Sequence, residues 1–166
     1  MARVYLGLGS NIERERYITA GLDAMAALFG DMDISPVYES AAIGFEGTAF
    51  FNMVVGVNTD LTLAEMAKRL RDIEYAHGRP QNASRFSSRQ LDIDILTYDD
   101  LVGVIDGVEL PRGEILENAF VLRPLADLVP EARHPVNNAT YAELWARFQK
   151  AQDIHQVALS WRGCAI

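Results

Sequence analysis

Between residues 91 and 96 the chain reads Leu-Asp-Ile-Asp-Ile-Leu, aliphatic side chains alternating with carboxylates. A period of two is the signature of a strand, and it puts Asp92 and Asp94 on one face with Leu91, Ile93 and Ile95 on the other. Strand geometry sets the two aspartate α-carbons roughly 6.6 Å apart. At an effective dielectric of about 20, their carboxylates repel by about 2 kcal/mol. A strand interior offers them no cap or turn role in compensation. Taken alone, the alternation fits a wet outer face of an antiparallel sheet. A bound divalent cation would instead turn the repulsion into attraction, and oxygen-only ligands suit Mg²⁺.

The remaining sequence supplies a sheet and helices in which to set that strand. Residues 3–9 read as a short buried strand ending in glycines, and Ser10 and Asn11 then offer helix-start chemistry. Ile18, Leu22, Met25 and Phe29 fall on one helix face, which Gly30-Asp31 ends. Residues 34–40 are extended, with Pro36 favouring an edge or a strand start. An irregular loop over 41–49 leads to a strand at 51–57 that Gly56 is expected to interrupt. Thr62-Leu63-Ala64-Glu65 matches a capping box opening a helix along Leu63, Met66, Ala67, Leu70 and Ile73, with Gly78 at its end. Residues 79–88 are polar and predict a mobile loop. The clear strand at 91–98 follows, then short strands near 101–105 and 108–110. Helices are predicted over 119–128 and, behind a second capping box at Thr140 and Glu143, to about Lys150. Strand, helix, strand, strand, helix, strand is the split β-α-β order of ferredoxin-like folds. The expected class is therefore α+β, ferredoxin-like, a mostly antiparallel sheet with helices packed on both faces, in a single domain spanning residues 1–166.

Charge narrows the range of ligands. The chain carries 23 acidic against 15 basic residues, a formal net charge of −8, which opposes general nucleic-acid binding. No run approaches the ~18 apolar residues of a membrane span, and the first residues enter a strand pattern without a signal-peptide pattern. A lone cysteine, Cys164, makes no internal disulfide. These features point to the cytoplasm. Against the acidic trend, Arg79, Arg85 and Arg89 fall within eleven residues that contain no acid. Arginine's planar fork matches phosphate oxygens, so a basic loop running into an acidic pair describes a phosphate-transfer site. Other nucleotide signatures are missing: Gly7-Leu8-Gly9-Ser10-Asn11-Ile12 lacks the last glycine of a dinucleotide fingerprint, and no P-loop motif occurs. His77, His134 and His155 show no metal-ligand spacing, and His77 suits a helix C-terminus better than a ligand role.

Arg89-Gln90-Leu91-Asp92-Ile93-Asp94-Ile95-Leu96 resembles the signature of the 6-hydroxymethyl-7,8-dihydropterin pyrophosphokinases, enzymes of folate synthesis. Leu8-Gly9-Ser10-Asn11, Ile73-Glu74 with Gly78-Arg79, and Ala119-Phe120-Val121-Leu122 with Pro124-Leu125 extend the likeness over most of the chain. The resemblance implies Mg²⁺-dependent transfer of pyrophosphate from ATP to the hydroxymethyl group of the pterin, with release of AMP. It implies two Mg²⁺ ions on Asp92 and Asp94, and Arg79 and Arg89 stabilising the transferring phosphates. Glu74, Arg85, Ile95 and Arg112 would lie on the nucleotide side. Phe86 and Phe120 would stack on the pterin, with Ser40, Ala41, Ile43, Phe50 and Asn52 about its edge.

The chain departs from that family pattern at several points. Ser87-Ser88 stand where Gly-Pro is usual, Phe86 where tryptophan is common, and Gln81 where arginine often occurs. Pro111-Arg112 replaces a Pro-His pair, and Asn118 replaces a phosphate-binding arginine, so the charge gained at Arg112 offsets the one lost at Asn118. The expected partners are ATP and a hydroxymethyl pterin, with no nucleic acid and no membrane, on a monomer or a homodimer. The alternative reading is a catalytically silent or altered-substrate relative of the same fold that binds a pterin or nucleotide.

Overall fold

Strand β1 (Ala2–Ser10) is an interior strand of the sheet, and its residues alternate between two very different faces. Val4, Leu6 and Leu8 are buried on one face, whereas Tyr5, Gly7 and Gly9 occupy the other. The computed structural model describes residues 1–41, 48–78 and 90–166. Helix α1 (Arg14–Phe29) follows and lays Ile18, Leu22 and Met25 on the aliphatic face of β1. Its start differs from the sequence expectation. Neither Ser10 nor Asn11 caps it, because both are buried and tie down the turn instead. Ser10 Oγ donates to the Ile12 carbonyl (3.1 Å) and Asn11 Nδ2 to that of Thr48 (3.2 Å). The helix opens behind Glu13, which has φ 43° and makes no side-chain cap.

The segment around Pro36 splits into β2 (Asp33–Ile34) and β3 (Val37–Ser40). Proline has no amide to give the ladder, and Ser35 bridges the break. Its N–H donates to the Val54 carbonyl (3.0 Å), and its Oγ accepts from the Val54 N–H (2.8 Å). Strand β4 (Phe50–Thr59) runs unbroken through Gly56, contrary to the expected interruption. The glycine leaves room there for two side chains of β1, since a β-carbon would lie 2.7 Å from Arg3 Nη2 and 3.0 Å from the Tyr5 ring. Helix α2 (Leu63–Ala76) has the predicted capping box: Glu65 N–H donates to Thr62 Oγ1 (3.2 Å) and Thr62 N–H to Glu65 Oε1 (3.0 Å). His77 sits at its C-terminus, its Nδ1 2.7 Å from the Ile73 carbonyl.

Strand β5 (Asp92–Tyr98) carries the alternating carboxylates, and β6 (Gly103–Ile105) with β7 (Val108–Leu110) makes a separate hairpin. Three helices follow: α3 (Glu114–Glu117), α4 (Ala119–Leu128) and α5 (Tyr141–Arg147). The last ends short of the expected Lys150, which pairs with Glu117 instead. Strand β8 (Ile154–Val157) and the hairpin of β9 (Ser160–Trp161) and β10 (Cys164–Ala165), none foreseen, complete the chain. Antiparallel pairing orders the main sheet β5-β1-β4-β3-β8, with β2 also on β4. Apart from β8, this is the expected split β-α-β order, and the class is α+β.

Two cores flank the sheet. On one face, Val4, Leu6 and Leu8 meet Leu22 and Met25 of α1 and Met66 and Leu70 of α2. On the other, Val54 and Leu96 meet Ile115, Leu122, Leu125 and Tyr141. None of the helices among the described residues is long and apolar enough to cross a membrane.

His134 locks the connection between α4 and α5. It is buried, and its Nδ1 accepts from the N–H groups of Val136 and Asn137, each at 3.2 Å. Burial pushes the imidazole pKa below its ordinary value of 6.5. A lowered folded-state pKa means that this contribution is complete above about 6.5 and is lost as pH falls through the folded value. His134→Ala is expected to cost about 1 kcal/mol near neutral pH, because two backbone N–H groups on the connecting turn lose their acceptor. Urea unfolding should show the gap to the wild-type chain narrowing in acid; a gap independent of pH would contradict this account.

Candidate active site

A cleft of about 980 Å³ opens over the glycine face of β1 and wraps around the outer edge of β5. Register explains its floor. Gly9 pairs with Asp92 on one side and Asn52 on the other, and Gly7 pairs with Asp94 and Val54. Missing side chains at Gly7 and Gly9 keep the floor low between the two carboxylates and the β4 residues Asn52 and Val54. A β-carbon on Gly9 would lie 2.9 Å from Asn52 Oδ1, whereas one on Gly7 would meet Leu96 at an ordinary 3.5 Å.

Asp92 and Asp94 share this face, as the alternation predicts, while Leu91, Ile93 and Ile95 are buried on the opposite one. Burial raises the Asp94 pKa well above the usual carboxylate value, and the charge of Asp92 adds to the effect. Arg112 acts against it from 3.6 Å (Nη2 to Asp94 Oδ1), while also binding Glu114 Oε1 through Nη2 (2.9 Å) and Nε (3.3 Å). No group of three or more metal-ligating side chains occurs among the described residues.

Glu74 holds the outer edge of the strand that bears the pair. It is 3% exposed, and its Oε2 accepts from the Ile93 N–H at 2.8 Å. That amide faces away from β1, on the side where β5 has no neighbouring strand. Glu74→Ala is expected to lose about 1–3 kcal/mol of stability in urea unfolding, since the amide stays buried without its acceptor. Glu74→Gln retains an acceptor oxygen and should lose less; equal losses would show that the hydrogen bond matters little.

Along the cleft from the carboxylates, Ser40, Ala41, Phe50, Asn52 and Phe120 come together. Asn52 Nδ2 donates to Ser40 Oγ at 3.0 Å, both side chains being buried, which fixes the amide over Gly9. Of the expected site residues, Ile43, Arg79, Arg85, Phe86 and Arg89 lie outside the described residues. Glu74, Ile95 and Arg112 line the cleft, as do Asn118 and Glu117 at the turn into α4. Four participants were missed from sequence. Glu114 belongs to α3, too short to show periodicity; the two β1 glycines were read as a failed fingerprint rather than a floor. Arg71, which also lines the cleft, lies one residue after Leu70 and one turn before Glu74 on α2. Its phase on that helix was the signal available.

Residues 5–130 match the profile of the family described as 7,8-dihydro-6-hydroxymethylpterin-pyrophosphokinase. The 2-amino-4-hydroxy-6-hydroxymethyldihydropteridine pyrophosphokinase of Aquifex aeolicus is 35% identical over 138 residues, covering 82% of this chain and 86% of that protein. The protein of the same name from Pseudomonas aeruginosa is 36% identical over 137 residues, covering 80% and 84%. Among solved structures, Plasmodium falciparum HPPK-DHPS A437G with SDX-DHP shares the fold with a TM-score of 0.69 at 16% identity, over 89% of this chain. This chain spans 42% of that larger protein's chain.

Proposed function

This chain belongs to the 7,8-dihydro-6-hydroxymethylpterin-pyrophosphokinase family, and from that premise we propose that Asp92 and Asp94 hold the Mg²⁺ with which it moves pyrophosphate from ATP to a hydroxymethyl pterin, releasing AMP. It is an ATP-dependent pyrophosphokinase of folate biosynthesis. In the transfer the pterin hydroxyl oxygen bonds to the β-phosphorus of ATP and loses its proton. The bond from that phosphorus to the α,β-bridging oxygen breaks, and AMP departs with its electron pair.

The observation that carries this reading is the carboxylate pair on the floor over Gly7 and Gly9. The donor set fits magnesium: it is all oxygen, and burial and mutual repulsion already disfavour charge on Asp94 unless a cation offsets it. Two ions held there would neutralise phosphate charge and ease loss of the hydroxyl proton. Arg79 and Arg89 act on the transferring phosphates, and Arg85 binds the triphosphate. Glu74, Ile95 and Arg112 face the nucleotide. Asn52, oriented by Ser40, reads the pterin edge with Ala41, Ile43 and Phe50, while Phe86 and Phe120 stack on its faces.

The test is to follow AMP in a mixture of protein, ATP, Mg²⁺ and 6-hydroxymethyl-7,8-dihydropterin. AMP that depends on this pterin supports the proposal. AMP formed only with another pterin would change the acceptor. No AMP, with ligand binding retained in thermal shift, would mean a silent relative, the reading that Arg112 and Asn118 motivate.

A further inference from the structure

Among the described residues, one cation reaches the carboxylate pair, and it is anchored at both ends. The Arg112 backbone N–H donates to the Leu96 carbonyl at 2.9 Å, so the residue is fixed against the strand that carries Asp94. The next N–H, of Gly113, donates to Glu109 Oε1 at 2.7 Å. At the far end, Glu114 grips Nε and Nη2 together and aims the guanidinium so that Nη2 lies 3.6 Å from Asp94 Oδ1. An arginine cannot shed its charge, so a bare divalent ion arriving at Asp94 meets a fixed positive charge and must displace it.

We propose that Arg112 is a tethered counter-ion of the metal site, occupying Asp94 until a nucleotide's phosphates draw the guanidinium away. This rests on the reading of Asp92 and Asp94 as metal ligands. The site then resists free metal and accepts metal together with nucleotide. A planar fork turns from one carboxylate to phosphate oxygens with no loss of charge pairing, and its release leaves both aspartates to the metal. The same side chain therefore opposes one ligand and favours the other. A general positive field in the cleft would not be tied to Arg112 in this way. Arg71 offers the comparison: it lines the same cleft from α2 and makes no ion pair among the described residues.

The experiment titrates the full chain with Mn²⁺ alone, by electron paramagnetic resonance and calorimetry, and with α,β-methylene-ATP in the presence of Mg²⁺. Arg112→Met is expected to bind Mn²⁺ alone about tenfold more tightly than wild type, and the nucleotide analogue about tenfold more weakly, a tethered charge pair being removed in one case and a phosphate partner in the other. Arg71→Met should leave binding of Mn²⁺ alone unchanged. Arg112→Gln, which keeps an amide to meet Glu114, carries the same expectation should the methionine variant not fold. Unchanged Mn²⁺ affinity in the Arg112 variants, an equal rise in Arg71→Met, or undiminished analogue binding would each overturn the proposal. Asp94→Asn separates the two levels. If it binds Mn²⁺ with the analogue as tightly as wild type does, the metal assignment itself fails, whatever Arg112 does.

Discussion

Asp92→Asn and Asp94→Asn are each expected to lower kcat by at least ~10²-fold while the fold persists, as happens when charge aimed at a transition state is removed. The structure adds a second, opposite expectation for stability. Burial and the neighbouring Asp92 raise the Asp94 pKa above its unfolded value. A carboxyl raised in this way favours the folded chain most below its ordinary pKa and disfavours it increasingly as pH climbs through the raised value. At neutral pH without metal, Asp94→Asn should therefore melt at the same temperature as wild type or higher. Steady-state kinetics with saturating Mg²⁺, and thermal unfolding in a chelator, measure the two halves. Near-normal turnover in both variants would remove the pair from the chemistry; a sharply lower melting temperature would mean that its charge supports the fold.

Gly9→Ala should raise KM for the pterin by about tenfold or more, the scale of one buried hydrogen bond. The added methyl lands 2.9 Å from Asn52 Oδ1, and the amide cannot simply swing aside because Nδ2 is committed to Ser40. Gly7→Ala is the matched comparison on the same strand face, with its methyl at an ordinary 3.5 Å from Leu96. It should change KM far less. Circular dichroism and the KM values of both variants decide the matter: identical effects, or none from Gly9→Ala, would detach Asn52 from pterin binding.

The parts of this protein legible in its sequence are those written in short-range chemistry. The aspartate alternation, the Thr62–Glu65 capping box and the Ile18–Leu22–Met25 stripe each declare a local geometry, and each is found where expected. The parts that escaped depend on partners distant along the chain. Ser10 and Asn11 have helix-capping side chains, but burial against residue 48 and the turn at Ile12 takes them elsewhere. Gly56 looked like a break because only the fold shows Arg3 and Tyr5 lying over it. Strand β8 has no strong alternation, and β3 recruits it through backbone pairing that needs little from its side chains. At the site the pattern is the same. Asp92 and Asp94 were plain, whereas the grip of Glu114 on Arg112 and the hold of Glu74 on Ile93 join segments that no local motif connects.

Strand β1 divides its labour by parity. Its even positions anchor the larger of the two aliphatic clusters among the described residues, and its odd glycines shape the floor of the cleft. Drift at one set is thus felt as melting temperature and at the other as choice of ligand, with little crosstalk between them. A lineage carrying this sheet can retune what it recognises without first renegotiating whether it folds.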